Sequence, residues 1–346
     1  MIEKGEAKAD RWLSDQERVE AEKERCMNAQ WRKDSSYREV CNWIGASSEL
    51  SPLDSHRINM ANKLNGTCCW LPITSEVQAW LAEDSKAPIL WVTGSPGLGK
   101  TVSCSYMINH VGADAETSVA FHFYQYNQQY PGIEVLRCLA EQLFLKSWEV
   151  SNVVSEELYL QTQKNRKDIV NVQNLIKILV RQMSHTYFFL DGLDEERGSK
   201  RWRETRTLVT YLIGLASEFP KKVRLWCSSQ IYPSICEILK DFPTLDLKGR
   251  TERDLDLFFT TALSQLDAIE TSDEEKAKML KHLRKKAGGS FLWASLMKND
   301  LEAEISSLSE MKGFICHGLP QDLNGENGYY TRIFKRIDEP QRRLAW

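Results

Sequence analysis

Apolar residues along this chain keep two rhythms. Short, largely apolar runs rich in β-branched and aromatic residues stand at Ile89-Leu90-Trp91-Val92, Val119-Ala120-Phe121-His122-Phe123-Tyr124, Tyr187-Phe188-Phe189-Leu190 and Val223-Arg224-Leu225-Trp226-Cys227. A shorter one is Thr244-Leu245-Asp246-Leu247. Each predicts a strand. Between them the apolar positions step by three and four, as in Val135, Leu136, Leu139 and Leu143 within 133–145, or Val172, Leu175, Ile176, Leu179, Val180 and Met183. That spacing predicts amphipathic helices. The stretches 102–111, free of Gly and Pro, and 207–219, stopped by Pro220, complete the alternation. Strands alternating with helices predict an α/β fold on an open, mostly parallel five-stranded sheet. Beyond Arg250 the strands stop. Helical patterns at 254–266, 273–286 and 291–301 predict a small all-helical subdomain.

Upstream of the first strand the pattern is thinner. Residues 1 to about 35 are dense in Glu, Lys and Arg, and Trp12, Val19 and Cys26 stand seven apart. On a helix they make one narrow stripe, the mark of an exposed lead-in helix or of an arm for self-association or a protein partner. Two short helical patterns follow from Tyr37 to Leu64, then a helix at 76–81 that carries Trp80. Trp70 and Trp80 are expected in the core, although such a lead-in can also border a base or ribose pocket. His122, inside a strand among aromatics, is expected as a core or edge residue and not as a ligand. These breaks divide the chain into a charged helical arm at 1–50, a helical lead-in at 51–88, a sheet domain at 89–250, a helical subdomain at 251–318 and a further start at 319–346.

Chemistry enters between the first strand and its helix. Gly94-Ser95-Pro96-Gly97-Leu98-Gly99-Lys100-Thr101 satisfies G-x-x-x-x-G-K-[ST], the phosphate-binding P-loop. By residue frequency alone the pattern arises in about one chain of this length in a hundred, so its flanks decide. They are a strand before and a helix after, which is the context the motif requires. The glycines let the backbone curl with its N–H groups aimed inward, where side chains would block a polyphosphate. The helix N-terminus adds partial positive charge. Lys100 is expected on the β- and γ-phosphates and the Thr101 hydroxyl on Mg²⁺.

The third apolar run ends in Asp191-Gly192-Leu193-Asp194-Glu195. Four apolar residues closed by an acid form the Walker B pattern. It sets Asp191 at the C-terminal end of a buried strand, where ligands collect in α/β sheets. Asp191 is the expected second partner of Mg²⁺. Asp194 and Glu195 are the expected groups to orient or deprotonate an attacking water.

Composition narrows the setting. The 346 residues carry a formal charge of -3 and a pI near 6.2, which gives no general pull toward nucleic acid or acidic membranes. Nine cysteines lie scattered with no C-x-x-C. The adjacent Cys68-Cys69 is a poor disulfide candidate, so free thiols in a reducing compartment are expected. The N-terminus has no apolar signal region and no run is long enough for a membrane span. A cytoplasmic location follows as the expectation.

Taken together, these motifs resemble the NACHT-type NTPases of the STAND class, closest to the fungal and nephrocystin-type versions. The resemblance runs from about Gly66 to the C-terminus. It rests on Gly66-Thr67 and Trp70, on Gly94 to Thr101, and on Asp191 to Glu195. Phe291-Leu292-Trp293-Ala294 after Gly288-Gly289, and Leu319-Pro320 with Asp322-Leu323 and Tyr330, add to it. It implies a nucleotide-dependent signalling switch, in fungi one of nonself recognition and regulated cell death, with ATP or GTP and Mg²⁺ as cofactors. Two departures stand out. Where the family ends its fourth strand in Ser-Arg, with the arginine sensing the γ-phosphate, the matching residue here is Gln230. A neutral amide there implies slow hydrolysis with binding kept. The family's winged-helix domain only begins, at 319–346, which reads as truncation, and no sensor repeat is seen. A non-hydrolysing nucleotide-binding scaffold and a P-loop small-molecule kinase are the alternative readings. No segment marks the acceptor pocket that the kinase needs.

Overall fold

The structure is a computed structural model and describes residues 35–47, 51–125, 130–151, 154–196, 201–264, 272–304, 313 and 315. The charged arm before residue 35 and the 319–346 segment lie outside these residues. Two compact units divide the chain. The first holds Cys68–Thr93, Lys100–Asp246 and the described residues up to Lys63, and the second holds Leu64–Thr67, Gly94–Gly99 and the described residues from Leu247 onward.

The first unit is the sheet unit. Its strands are β1 (Ile89–Thr93), β2 (Thr117–Phe123), β3 (His185–Asp191), β4 (Val223–Ser229) and β5 (Thr244–Asp246). They lie in the order β2-β3-β4-β1-β5 and every pairing is parallel. The expected five-stranded α/β sheet is thus present, with no antiparallel member among the described residues. Its helices are α1 (Ser35–Ile44), α2 (Pro52–Ala61), α3 (Ser75–Leu81), α4 (Lys100–Gly112), α5 (Gly132–Ser151), α6 (Glu156–Thr162), α7 (Ile169–Gln182), α8 (Trp202–Glu218) and α9 (Pro233–Leu239). A parallel strand needs a long crossover back to its neighbour, which α5 to α8 supply.

Both faces of β1 to β4 are covered, so these strands are buried nearly throughout, whereas the short β5 alternates exposed, buried, exposed. Ile89, Trp91, Ala120, Phe188, Leu190, Leu225 and Cys227 pack in one core with α1 and α5 to α8. By the two-residue period of a strand, Tyr187, Phe189 and Asp191 share the opposite face, as do Arg224, Trp226 and Ser228. Trp80 of α3 meets Tyr187, Phe189 and Trp226 edge-on there, with ring centroids 5.5–5.9 Å apart. Trp80 is 1% exposed, and its burial is worth on the order of 2–3 kcal/mol. The outer strand β2 is blunted by a side chain: Gln142 of α5 accepts from the Phe121 N–H and donates to the Phe121 carbonyl, each at 3.0 Å. This occupies an edge that would otherwise recruit another strand.

In the second unit α10 (Glu252–Ser264), α11 (Asp273–Ala287) and α12 (Phe291–Glu304) close on Leu255, Phe259, Leu283, Trp293 and Met297. A capping box of Ser272 and Glu275 starts α11, and Gly288 at φ 54 ends it in the left-handed region. Among the described residues of this unit after Arg250, the elements are helices, as the pattern predicts.

Candidate functional site

The strand order sets the C-terminal ends of β1, β4 and β3 in a row. Register makes this specific, since Thr93 stands opposite Ser229 and Ser228 opposite Asp191. The first α4 turn then supplies Thr101, whose hydroxyl donates to Asp191 Oδ2 at 2.7 Å. Ser228 donates its hydroxyl to the other oxygen, Oδ1. Asp191 is 3% exposed. Burial raises its pKa, while the Ser228 and Thr101 bonds and the Lys100 charge draw it down and Asp194 adds a smaller push upward. Lys100, the first α4 residue, is lowered by burial against the fields of Asp194, Asp191 and Glu195. Those opposing charges bring the expected lysine and the expected acids into one electrostatic site.

The turn after β3 explains how two further acids stay beside Asp191. Gly192 has φ 76, and its N–H donates to the Ser228 carbonyl at 3.0 Å. A Cβ there would lie 2.9 Å from the Tyr124 carbonyl oxygen. Only glycine avoids both the left-handed strain and the collision. The chain then tightens into a 3₁₀ turn, Leu193–Glu196, with Leu193 buried and Asp194 9% exposed. Asp194 Oδ1 accepts from the Gln230 backbone N–H at 3.1 Å, and Oδ2 accepts from Gln230 Nε2 at 2.8 Å. Glu195 is half-buried in the same turn.

The glycine loop itself groups with the helical unit. Gly97 (φ 77) and Gly99 (φ 86) are both left-handed, which helps successive N–H groups point into one concavity. The Gly97 carbonyl accepts from the Phe291 N–H at 2.8 Å. A Cβ on Gly97 would stand 2.6 Å from Ser290 Oγ and 2.9 Å from Leu292 Cβ. Within the loop, Leu98 N–H bonds the Ser95 carbonyl at 3.3 Å, and the Leu98 side chain is buried. Gly94 and Pro96 shape the same loop. Gly94 has Leu98 Cδ1 3.2 Å from where its Cβ would be.

The residues present fit a magnesium nucleotide. Among the described residues no group of three or more His, Cys, Asp or Glu is placed to hold a metal alone. What the site offers is an alcohol–carboxylate pair, Thr101 and Asp191. Two hard oxygen donors suit Mg²⁺, which keeps waters and takes its remaining oxygens from phosphate.

Residues 66–230 match the family profile described as nephrocystin 3, N-terminal. Over this segment the chain is similar to the nephrocystin-type P-loop NTPases. It spans just under half of the chain and ends on Gln230, so the whole row from the glycine loop to β4 lies inside it. A Walker-type ATPase of Pyrococcus abyssi is similar over 78% of this chain and 75% of its own, at 12% identity and a TM-score of 0.47. Caenorhabditis elegans PCH-2 is similar over 77% of this chain and 71% of its own, at 11% identity and a TM-score of 0.41. No curated protein matches the chain in sequence. Among the described residues, no helix is long and apolar enough to cross a membrane.

Two members of the site were not singled out from sequence. Ser228 belongs to no motif, and neither does Tyr232, whose hydroxyl donates to Gln230 Oε1 at 3.2 Å. Ser228 had a usable signal: parallel neighbours that end together put their last inward-facing residues side by side. Tyr232 had none, because its role depends on where Gln230 turns.

Proposed function

We propose that this protein is a Mg²⁺-dependent ATP- or GTP-binding switch with slow triphosphate hydrolysis. The observation that carries the reading is the Thr101–Asp191 pair, which joins the P-loop helix to the end of β3 at 2.7 Å. Loop N–H groups of 94–99, the α4 N-terminus and Lys100 bind the phosphates. Thr101 and Asp191 hold the cation, which when bound neutralises charge on the β- and γ-oxygens. Asp194 and Glu195 order the water. Resemblance to the NACHT and STAND switches supports a signalling role in nonself recognition or regulated cell death, with self-association as its output. The uncharged Gln230 supports slow turnover, and a chain with no turnover at all is the scaffold reading.

Calorimetric titration with ATP and GTP, each with and without Mg²⁺, tests this. Binding that requires Mg²⁺ and is lost in Lys100→Ala is expected. Alanine keeps the α4 start helical, so unchanged affinity in that variant would sink the reading. Phosphate release in the same samples separates switch from scaffold.

A further inference from the structure

Gln230 stands where the family resemblance implies a group facing the γ-phosphate, and its donors are turned elsewhere. Its backbone N–H and Nε2 both go to Asp194, one to each carboxylate oxygen, at 3.1 and 2.8 Å. A carboxylate only accepts, so the Nε2 end of the amide is the one that faces Asp194. The Oε1 end then accepts from the Tyr232 hydroxyl at 3.2 Å. Tyr232, Gln230 and Asp194 form a chain in which each group sets the orientation of the next.

Both ends of that chain are anchored. Gln230 follows directly on β4, whose last residues pair with β1, and Tyr232 immediately precedes α9. Asp194 sits in a 3₁₀ turn closed by the Glu195 N–H to the Gly192 carbonyl at 2.9 Å, with Leu193 buried beneath it. At 9% exposure Asp194 has lost most of its water, so these two donors replace solvation that the carboxylate cannot do without.

We propose that Gln230 is a positioning residue: it fixes the Asp194 carboxylate and acts on the nucleotide only through it. This rests on the NTPase reading and assigns Gln230 a role that a γ-phosphate sensor does not have. Asp194, held at both oxygens, is a fixed acceptor and charge, and orders water instead of swinging toward it.

The test is a double-mutant cycle. Gln230→Ala is expected to lower kcat for phosphate release on the order of tenfold, the usual weight of one hydrogen bond to a charged group, with nucleotide Kd within about twofold. In an Asp194→Ala background the same change is expected to have no further effect. A rise in Kd at unchanged kcat, or equal losses in both backgrounds, means that Gln230 meets the nucleotide itself and overturns the proposal. The exchange Asp194→Asn with Gln230→Glu gives a second readout, because Asn Nδ2 then donates to Glu Oε and every other donor keeps its acceptor. In denaturant unfolding without nucleotide it is expected to regain the stability that each single change loses. Additive losses there overturn the clamp. Wild-type protein that binds no nucleotide removes the NTPase reading instead, and the unfolding cycle then decides the clamp by itself.

Discussion

Gly192→Ala gives the sharpest check on how the site is built. The position needs φ 76, which costs an L-residue roughly 1–2 kcal/mol. The new methyl would also meet the Tyr124 carbonyl oxygen at 2.9 Å. That obstacle is backbone, immediately after β2, and cannot rotate aside. Overpacking of this kind costs about 1–3 kcal/mol. The sum, about 2–5 kcal/mol, is a large share of the ~5–15 kcal/mol that holds a domain folded. Gly214 is the internal control. It lies inside α8 with nothing within 4 Å of an added Cβ, so Ala there should add about 0.5–1 kcal/mol. Urea unfolding followed by far-ultraviolet circular dichroism reads both. The two variants should shift the midpoint in opposite directions. If Gly192→Ala costs less than about 0.5 kcal/mol, the level of an ordinary surface change, the account of the turn after Asp191 is wrong.

Thr101→Val keeps the shape and removes the hydroxyl that bonds Asp191. Nucleotide affinity in Mg²⁺ should fall about tenfold or more, toward the weak or absent binding expected of wild type in chelator; a Mg²⁺ effect equal to wild type refutes the proposed cation pair. Acid should destabilise the sheet unit through two buried histidines, His56 and His122, both held by burial at a pKa of about 4 against 6.5. The unfolded chain takes up those protons below about pH 6.5 and the folded one only near 4, so stability is full at neutral pH and falls across that window, by up to about 3 kcal/mol per site. Comparing His56→Gln and His122→Phe with wild type by unfolding at pH 7 and pH 4.5 isolates their share, and an unchanged difference between the two pH values rejects it. Gln230→Arg should not raise phosphate release toward the ~10³-fold that an arginine supplies when it reaches the transferring phosphate. Asp194 is positioned to take the guanidinium first, and a rise of that size would return position 230 to direct nucleotide contact.

Much of this fold was legible because its strands are buried on both faces. Runs such as Tyr187-Phe188-Phe189-Leu190 announce themselves by composition, and the stretches between them keep a clear helical period. The edges moved by a residue or two, as with β2 at Thr117–Phe123 instead of 119–124, and α5 runs on to Ser151 because Phe144 and Trp148 prolong its buried face. The seven-residue helices α6 and α9 were not legible. Two turns carry few apolar positions, and α3, of the same length, was readable because Val77, Trp80 and Leu81 step by three and four. Strand order was hidden for another reason: pairing is set by nonlocal packing, and nothing in β1 records that β4 and β5 are its neighbours. The loop 94–99 and its bond to Phe291 were likewise beyond a local reading. Gln230 shows the limit most plainly. Its place at the end of β4 followed from sequence, but its partner follows from a turn 36 residues earlier.

The charges gathered here explain why a neutral residue suits that place. Among the described residues, Asp191, Asp194 and Glu195 act on the Lys100 ammonium, whose own positive charge is disfavoured by burial. In the proposed function such a site would repel a polyphosphate until a cation joined it, and the helix N-terminus would supply only about half a charge toward that need. Nucleotide and Mg²⁺ would therefore have to enter as a unit, with Thr101 and Asp191 receiving the metal. An arginine at 230, paired with Asp194, would cancel one of the carboxylates that make the site depend on the metal. A glutamine holds the same carboxylate in place and leaves its charge intact, so the acid stays both fixed and negative beside the proposed phosphate site. Binding would then report the cation as well as the nucleotide, which is what a switch with little turnover requires.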